Sequence, residues 1–361
     1  MLAGDNGQGK TNFLEAVYLV GTLRGFRAGK LEELVRFGAA SGRASARVDR
    51  NGLDRRYDVE VFAEPARKTA RVDGKAVRAG AEYFGGFNVV LFVPDDLRLP
   101  RGSPSARRRF LDRAVWNVEP AFLKDAQAAD KILKSRNAVL RDGGPRAMST
   151  AQQEELLGVY DEQLATVGAA VVGRRRRYLE RLAPRFAEAF ERISRSGLRV
   201  TARYQSALDG GGENEGEERP PKPAEDYAAR LLAALRASRA RDRALGYTTA
   251  GPQTDDVALF LDGRPARLYA SQGQLRAMVL ALKVAEIDTL AEALGEPPIL
   301  LLDDVSSELD PAKTRFLFEF LGEMSGQVFI TTTDARHVLI GSGERADFRV
   351  RAGTVEPAAS P

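Results

Sequence analysis

One short segment near the start of the printed sequence limits the folds that are open to the chain. Residues 4–11 read Gly-Asp-Asn-Gly-Gln-Gly-Lys-Thr, match the pattern G-x-x-x-x-G-K-[ST], and run directly into a helix-compatible stretch. In this pattern glycines let backbone N–H groups face phosphate oxygens, the lysine reaches the terminal phosphates and the hydroxyl ligates Mg²⁺. The helix adds the positive end of its dipole. The predicted contacts to ATP are Gly4, Asp5, Asn6, Gly7, Gln8, Gly9, Lys10 and Thr11, with Thr11 also on the metal.

A second segment supplies the carboxylates that such a site needs. Residues 299–304 read Ile-Leu-Leu-Leu-Asp-Asp, an apolar run typical of a buried parallel strand that ends in two acids. One carboxylate can hold Mg²⁺ while the other positions the attacking water. We assign Asp303 to the metal and Asp304, as a catalytic residue, to the water. A helix N-cap would explain a lone aspartate equally well, but the phosphate loop favours the nucleotide site.

Composition narrows the class of protein further. The 361 residues include no cysteine and one histidine, which excludes disulfide frameworks, thiol catalysis and multi-histidine metal sites. No apolar run approaches the roughly 18 residues that span a bilayer, and the first residues lack the pattern of a secretory signal. We therefore expect a cytoplasmic protein without a membrane partner. The net charge is +4, and the basic excess falls within residues 101–248.

The distribution of helix and strand signals divides the chain into three parts. Residues 1–104 combine one helical stretch with short alternating segments and Asn-Gly or Asp-Gly turns, and residues 249–361 again alternate strand and helix. Residues 105–248 carry long helix-period segments. We predict an α/β fold: a P-loop ATPase head of the ABC type, with a mixed sheet flanked by helices, assembled from both ends of the chain. A mainly helical second domain is inserted between them.

A segment upstream of the acidic strand suggests which P-loop superfamily this is. Residues 271–274 read Ser-Gln-Gly-Gln at a helix start, which resembles the signature motif of the ABC ATPases, and residues 306–310 resemble that superfamily's D-loop. The resemblance implies a head-to-tail homodimer in which Ser271 and Gly273 cap the γ-phosphate held by the other copy, with Gln274 also assigned to the cofactor. Ser271 as an N-cap with Gln274 in a capping box is compatible with that role.

Further segments narrow the resemblance to one family. They are residues 24–27, 93–97, 102–112, 134–141, 251–256 and 303–310. The sequence separation of Lys10 and Ser271 is too long for a transporter ATPase and too short for SMC-type arms. With this spacing, the segments resemble the RecF family of bacterial recombination mediators. The resemblance implies an ATP-induced dimer that clamps duplex DNA near single-strand gaps and helps the RecR and RecO proteins to load RecA during repair and the SOS response.

Two expected elements of the superfamily are missing from the sequence. No glutamine that could form a Q-loop occurs between Val90 and Asp95, and Thr332 or Thr333 stands where a switch histidine is expected. His337 follows shortly after and is interpreted as a surface residue. We therefore expect slow, DNA-stimulated ATP hydrolysis that acts as a switch.

Arginine clusters are the candidates for DNA contacts. Each arginine on a phosphate would add salt-sensitive, sequence-independent affinity, whereas a solvated helix face is the alternative. Four consecutive arginines on one helix cover all of its faces, so one or two must pack their stems inside. The candidates are Arg174, Arg175, Arg176, Arg177, Arg107, Arg108, Arg24 and Arg27.

Two other functions and one question about the chain's start stay open at this point. A transport ATPase subunit would need no long basic insert, and a monomeric P-loop kinase would leave Ser271 to Gln274 unexplained.

Only three residues precede Gly4, fewer than a usual strand. We expect about two further strands upstream, and we expect the printed chain to lack a sheet position beside the strand of residues 299–302.

Overall fold

A computed structural model gives the arrangement of most of the chain. It describes residues 1–50, 52–77, 83, 88–142, 148–209, 226–305, 308–340 and 345–358. The chain forms two compact units, one of residues 1–98 with 286–361 and one of residues 99–285. No helix in the described part of the chain is long and apolar enough to cross a membrane.

Thirteen strands and eight α-helices make up the described structure. The strands are β1 (Leu2–Ala3), β2 (Ser41–Arg50), β3 (Leu53–Phe62), β4 (Arg67–Val72), β5 (Lys75–Val77), β6 (Val89–Phe92), β7 (Val200–Gln205), β8 (Asp256–Leu261), β9 (Arg264–Pro265), β10 (Ile299–Asp303), β11 (Val328–Thr332), β12 (Phe348–Arg351) and β13 (Thr354–Pro357). The helices are α1 (Lys10–Thr22), α2 (Pro104–Val118), α3 (Phe122–Asp142), α4 (Thr150–Ser194), α5 (Tyr227–Leu245), α6 (Ala266–Tyr269), α7 (Gln272–Leu294) and α8 (Pro311–Glu323).

The first unit is built on a six-stranded mixed sheet. Its strand order is β13-β12-β1-β11-β10-β6, in which β13 is antiparallel and the other pairings are parallel. The continuous apolar runs of β6 and β10 are buried, as expected for parallel strands covered on both faces. The α/β class and the mixed sheet predicted from the sequence are confirmed.

The strand ahead of the phosphate loop is present and has two residues. Leu2 pairs with Thr331 of β11 on one side and with Phe348 of β12 on the other. The strands beside β10 are β11 and β6. The expected gap beside residues 299–302 is therefore wrong: β11 fills that position, and the loop strand lies one place further along the sheet.

Helix α1 follows the phosphate loop and packs its apolar face into the core of this unit. Leu14 is fully buried, and Tyr18 meets the ring of Phe26 edge to face. The same core takes in one face of a second, antiparallel sheet, β2-β3-β4-β5, through residues such as Val59. Antiparallel sheets commonly bury one face and solvate the other, and from Gly42 onward the residues of β2 alternate between half-buried and exposed.

The second unit is mainly helical. It contains α2 to α6 and the start of α7, with the 45-residue α4 capped by Ser149, which accepts from the backbone N–H of Gln152. It also holds a small sheet, β7-β8-β9. Because β8 pairs with β7 along its whole length, residues 249–285 group with the helices in this division of the chain, whereas the sequence assigned them to the head.

A buried ion-pair network ties three helices of the second unit together. Arg136 of α3 is fully buried and donates to Asp161 of α4 at 2.7 Å and to Asp242 of α5 at 2.8 Å. Its guanidinium also donates to the Thr248 hydroxyl at 2.8 Å. Buried charges persist when they are paired and hydrogen-bonded, so the segment 134–141 singled out in the sequence has a structural task here.

Candidate nucleotide site

The phosphate loop turns between β1 and α1 in a conformation that requires glycine. A Cβ on Gly4 would lie 2.4 Å from the carbonyl oxygen of Val350, a separation that real Cβ atoms do not show. Gly7 and Gly9 adopt positive φ values of 78° and 104°, where L-residues with a side chain are disfavoured. Asp5, Asn6 and Gly7 are exposed at the tip of the loop.

Lys10 and Thr11 occupy the first turn of α1 with their polar ends directed at the loop and at β10. The Nζ of Lys10 donates to the carbonyl oxygens of Gly4 at 2.6 Å and Asp5 at 2.9 Å. The Oγ1 of Thr11 donates to Oδ1 of Asp303 at 2.9 Å. The helix has no acidic residue in its first turn, and its N-cap, Gly9, offers no side-chain acceptor. Its positive end is therefore left to an anion.

The two aspartates at the end of β10 differ in their surroundings. Oδ1 of Asp303 accepts from Thr11 and also from the Thr331 hydroxyl at 2.7 Å. Asp304 lies one residue further, in a left-handed conformation with φ 50°, and its N–H donates to Oγ1 of Thr331 at 3.1 Å. Non-glycine residues in this region of conformation concentrate at functional sites. Asp303 thus links the phosphate loop to β10 and β11 through its two hydroxyl contacts, and the metal role of Asp303 and the water role of Asp304 stay predictions.

Thr331 is a site residue that the sequence analysis missed. It is buried at the end of β11, where its hydroxyl hydrogen-bonds Asp303 and the N–H of Asp304. The run Thr331-Thr332-Thr333 after an apolar strand was its signal, but that run was interpreted only as a replacement for the switch histidine.

The donor atoms of the site fit a small, hard cation. Thr11 and Asp303 present a hydroxyl and a carboxylate oxygen 2.9 Å apart, and Mg²⁺ prefers oxygen ligands. Among the described residues no group of three or more acidic or histidine side chains is arranged to hold a metal. Mg²⁺ in nucleotide sites is bound through one or two protein groups together with phosphates and waters, so this donor set is sufficient.

The signature residues open helix α7 and are assigned to the second unit. The N–H of Ser271 donates to Oε1 of Gln274 at 2.7 Å, and the N–H of Gln274 donates to Oγ of Ser271 at 3.3 Å, which confirms the capping box. Ser271 and Gly273 are exposed. A Cβ on Gly273 would meet no atom of the other described residues within 4 Å.

The remaining motif residues are placed as follows. Ser306 and Ser307 of the D-loop lie outside the described residues, whereas Asp310 caps α8 by accepting from the N–H of Lys313 at 3.1 Å. Burial opposes ionisation of Asp310, but the hydrogen bond and charge of Lys313 outweigh it and lower the pKa. Thr333 and His337 are both exposed, which agrees with a surface histidine.

The structure corrects the predicted DNA contacts of three arginines. Arg175 is buried and binds both carboxylate oxygens of Asp112, at 2.7 and 2.9 Å. Arg176 is buried with Asp209 at 2.7 Å, and Arg107 is buried with Asp256 at 2.6 Å. These guanidinium groups are held inside the chain by carboxylates, so they are not available to a DNA backbone.

The other candidate arginines are at or near the surface. Arg174 is partly exposed and pairs with Glu119 and with Asp125, while Arg108 donates to the carbonyl oxygen of Asp255. The side chain of Arg177 is 61% exposed, with its guanidinium 4.0 Å from Glu119. Exposed side chains are also found at two positions after α1, Arg24 and Arg27. For these residues DNA contact stays a prediction.

The phosphate loop lies on a mixed sheet, and the Thr11–Asp303 hydrogen bond joins it to the acidic strand β10. These features define a P-loop ATPase head. The family model described as "RecF/RecN/SMC N terminal domain" matches residues 1–346. Within that class the chain belongs to the RecF family. The curated relatives bear this out over its whole length.

Two relatives and two solved structures illustrate the similarity. The chain is 47% identical to the DNA replication and repair protein RecF of Anaeromyxobacter dehalogenans (strain 2CP-C) over all of this chain and 93% of that protein. It is 44% identical to the RecF of Myxococcus xanthus, over 92% of this chain and 83% of the other. Structures of the recombination mediator RecF with ATPrS and with ATP superpose with TM-scores of 0.86 and 0.85 at 30% and 29% identity, over 99% of this chain and 91% of theirs.

Proposed function

We propose that this chain is an ATP-switched DNA-binding protein of recombinational repair. The observation that carries the proposal is the 2.9 Å hydrogen bond from Thr11 to Asp303. It joins the phosphate loop to the acidic strand in the arrangement that a nucleoside triphosphate and its cation need. The relatives, named for DNA replication and repair, and the ATP-bound RecF structures supply the biological setting.

The residues of the loop divide the work of binding. Backbone N–H groups of the glycine-rich turn and of the start of α1 hold the phosphates, and Lys10 exchanges its carbonyl partners for phosphate oxygens. Thr11 and Asp303 would hold Mg²⁺, which supplies charge neutralisation on the phosphates when it is bound. Asp304 orients the attacking water. Because the sequence offers neither a Q-loop glutamine nor a switch histidine, hydrolysis is expected to be slow, and it ends the bound state.

The signature residues belong to the switch. Ser271 and Gly273 are exposed at the start of α7 with open space around the glycine. In a head-to-tail homodimer they would approach the nucleotide held by the other copy, and Gln274, which keeps Ser271 in the capping box, would position them. ATP thereby joins two copies, and its hydrolysis separates them.

DNA and the mediator proteins are the partners that follow from the family. The solved relatives are described as components of the RecFOR pathway, and we propose RecR and RecO as partners of this chain at gapped duplex DNA. Among the five arginines that remain candidates for phosphate contacts, the exposed ones are Arg24, Arg27 and Arg177. Such contacts bind duplex DNA without reading its sequence.

The proposal is tested by Lys10→Ala in sedimentation velocity runs with and without ATP. Removing a charge-assisted contact should weaken ATP binding by about ten- to hundredfold and abolish ATP-dependent dimerisation. Folding is checked by circular dichroism, and little change is expected because, in the part of the chain that the structure describes, the Lys10 side chain hydrogen-bonds two carbonyls of the loop itself. Wild-type dimerisation of this variant with ATP would contradict the assignment of the loop.

A second variant separates binding from dimerisation. Gly273→Ala adds a methyl group where none of the other described residues offers a contact within 4 Å, so the monomer should fold and bind ATP as before. The dimer should weaken, because the methyl group would stand between Ser271 and the other copy's nucleotide. Dimerisation as strong as that of the wild-type protein would remove the signature segment from the interface.

A further inference from the structure

The hairpin of β12 and β13 lies against the phosphate loop through its two-residue turn, Ala352-Gly353. The N–H of Ala352 donates to the side-chain Oε1 of Gln8 at 2.8 Å. The next N–H, of Gly353, donates to the carbonyl oxygen of Gln8 at 2.9 Å. Gln8 is the loop residue before Gly9, and both of its acceptor groups are therefore bound by the same turn.

The close approach extends over the rest of the loop. A Cβ on Gly4 would collide with the carbonyl oxygen of Val350, and a Cβ on Gly9 would lie 3.3 Å from Cα of Gly353. Two glycines of the phosphate-binding pattern thus make room for the hairpin as well as for a nucleotide. The hairpin backbone can approach the loop this closely because both positions are glycines.

Two other hairpins of the molecule show what is unusual about this turn. The turns Asp73-Gly74 and Asp262-Gly263 have positive φ at both residues, as has Ala352-Gly353. Such turns favour Asn, Asp or Gly at the first position. In both Asp-Gly turns the aspartate carboxylate accepts a backbone N–H, from Arg56 and from Arg199 respectively, and the aspartate N–H donates back to the same residue.

Ala352 has no side chain that could make the first of these bonds, yet it holds φ 45°. The N–H of Ala352 donates to the side chain of a loop residue, Gln8. In the other two turns the N–H of the first turn residue donates to a backbone carbonyl oxygen instead. The loop therefore replaces the local support that the aspartate gives elsewhere. Each partner depends on the other: the loop stabilises a disfavoured turn, and the turn holds the loop residue that precedes Gly9.

We propose that the Ala352-Gly353 turn positions the phosphate loop for nucleotide binding and that Gln8 acts through this turn, as a positioning residue that does not touch the nucleotide. The inference rests on the proposed function, since it assumes that the loop binds ATP. The sequence analysis predicted that Gln8 contacts ATP. Under this proposal its side chain contacts the turn instead, while its backbone remains part of the phosphate-binding loop. Because the turn supports the part of the loop that faces the α- and β-phosphates, it should matter equally for ATP and ADP.

The experiment measures ATP and ADP affinity by isothermal titration calorimetry in Gln8→Ala and Gln8→Glu. Loss of one hydrogen bond should weaken both nucleotides by about five- to tenfold, by the same factor. Glutamate keeps an acceptor for the Ala352 N–H and should recover most of the lost affinity. If Gln8 instead faced the phosphates, the added negative charge would weaken ATP more than alanine does and more than it weakens ADP, which would overturn the proposal.

A control variant and a second measurement separate positioning from stability. Asp73→Ala removes the equivalent support of the β4–β5 turn and should lower the melting temperature without a change in nucleotide affinity. A Gln8→Ala protein with a lowered melting temperature and wild-type affinity for both nucleotides would show a purely structural role and would refute the proposal.

Amide hydrogen exchange reports on the turn directly. ATP should slow exchange at Ala352 and Gly353 in the wild-type protein and should no longer protect Ala352 in Gln8→Ala; exchange that ATP leaves unchanged at both amides would contradict the coupling. Wild-type protein that fails to bind ATP would end the proposed function itself. If the wild-type protein binds ATP and the Gln8 variants bind both nucleotides with wild-type affinity, only this inference would be refuted.

Discussion

In the unit that carries the phosphate loop, the described hydrogen bonds of the Lys10 side chain go to the backbone carbonyls of Gly4 and Asp5, and Asp303 accepts from two hydroxyls. In the helical unit, Arg136 and Arg175 meet carboxylates directly and are buried. The first set of charges is held by weak neutral partners that an anion or a cation can replace. The second is neutralised inside the chain, which suits it to hold helices together and not to bind a ligand.

A charged residue in a sequence motif can therefore have one of two roles: it can bind a ligand, or it can form an internal ion pair that stabilises the fold. Arg175 forms a bidentate ion pair with Asp112. Its guanidinium would have to break this strong pair in order to bind a phosphate. Lys10 would exchange neutral acceptors for charged ones. The expected responses to substitution therefore diverge, and the following variants test the contrast in order of decreasing effect.

Arg136→Met should be the most damaging change to stability. It removes the cation that Asp242 pairs with, while Asp161 keeps its ion pair with Arg239. Breaking a buried pair in this way costs about 3–5 kcal/mol. The measurement is the free energy of unfolding from urea titration. Arg177→Met is the matched control on the exposed side of α4 and should change that free energy by less than about 0.5 kcal/mol. Equal effects of the two variants would remove the distinction between internal and surface arginines.

Asp304→Asn should change chemistry and leave stability in place. Asparagine tolerates the left-handed conformation of Asp304, and its amide cannot act as a base, so ATP hydrolysis should fall by about a hundredfold. ATP binding should persist and the closed dimer should accumulate on DNA. Hydrolysis is measured by phosphate release and the dimer by sedimentation with gapped duplex. A variant that no longer binds ATP would instead give Asp304 the role assigned to Asp303.

Arg177→Gln should have the smallest effect, visible only in the salt dependence of DNA binding. Loss of one phosphate contact should reduce the slope of log affinity against log salt by about one. Arg175→Gln, measured at a temperature where it is folded, should keep the wild-type slope because that side chain is internal. Fluorescence anisotropy with a labelled duplex at several salt concentrations gives both slopes. A slope lowered by Arg175→Gln alone would reverse the assignment.

Much of the nucleotide site could be predicted because its chemistry fixes both residue type and spacing. Lys10, Thr11 and Asp303 are identified by a loop pattern and by an apolar run ending in acids, and the capping box of Ser271 and Gln274 is a local interaction along the chain. Thr331 could not be found in this way. Its contact with Asp303 exists only because β10 and β11 are neighbours in the sheet.

The arginines show where local pattern stops being informative. Four arginines in a row on a helix must face different directions, and the sequence indicated that some stems pack inside. Which of them do so depends on where Asp112 of α2 and Asp209 lie. The same is true of the strand β7, which falls in a stretch interpreted as helical and is stabilised by pairing with β8 more than fifty residues downstream.

The position of β1 has a consequence for how the protein is made. Leu2 is hydrogen-bonded between strands that contain Thr331 and Phe348, so its sheet partners are roughly 330 residues away along the chain and form a contact of very high sequence separation. On the ribosome the phosphate loop is made before the strands β11 and β12 that flank β1, and the turn that supports Gln8 follows hundreds of residues later. A nascent chain therefore carries the loop sequence without a formed site, and nucleotide can act as a ligand only for a chain whose β11 and β12 have been synthesised. ATP in the cell would then select completed molecules over ribosome-bound ones without any additional control.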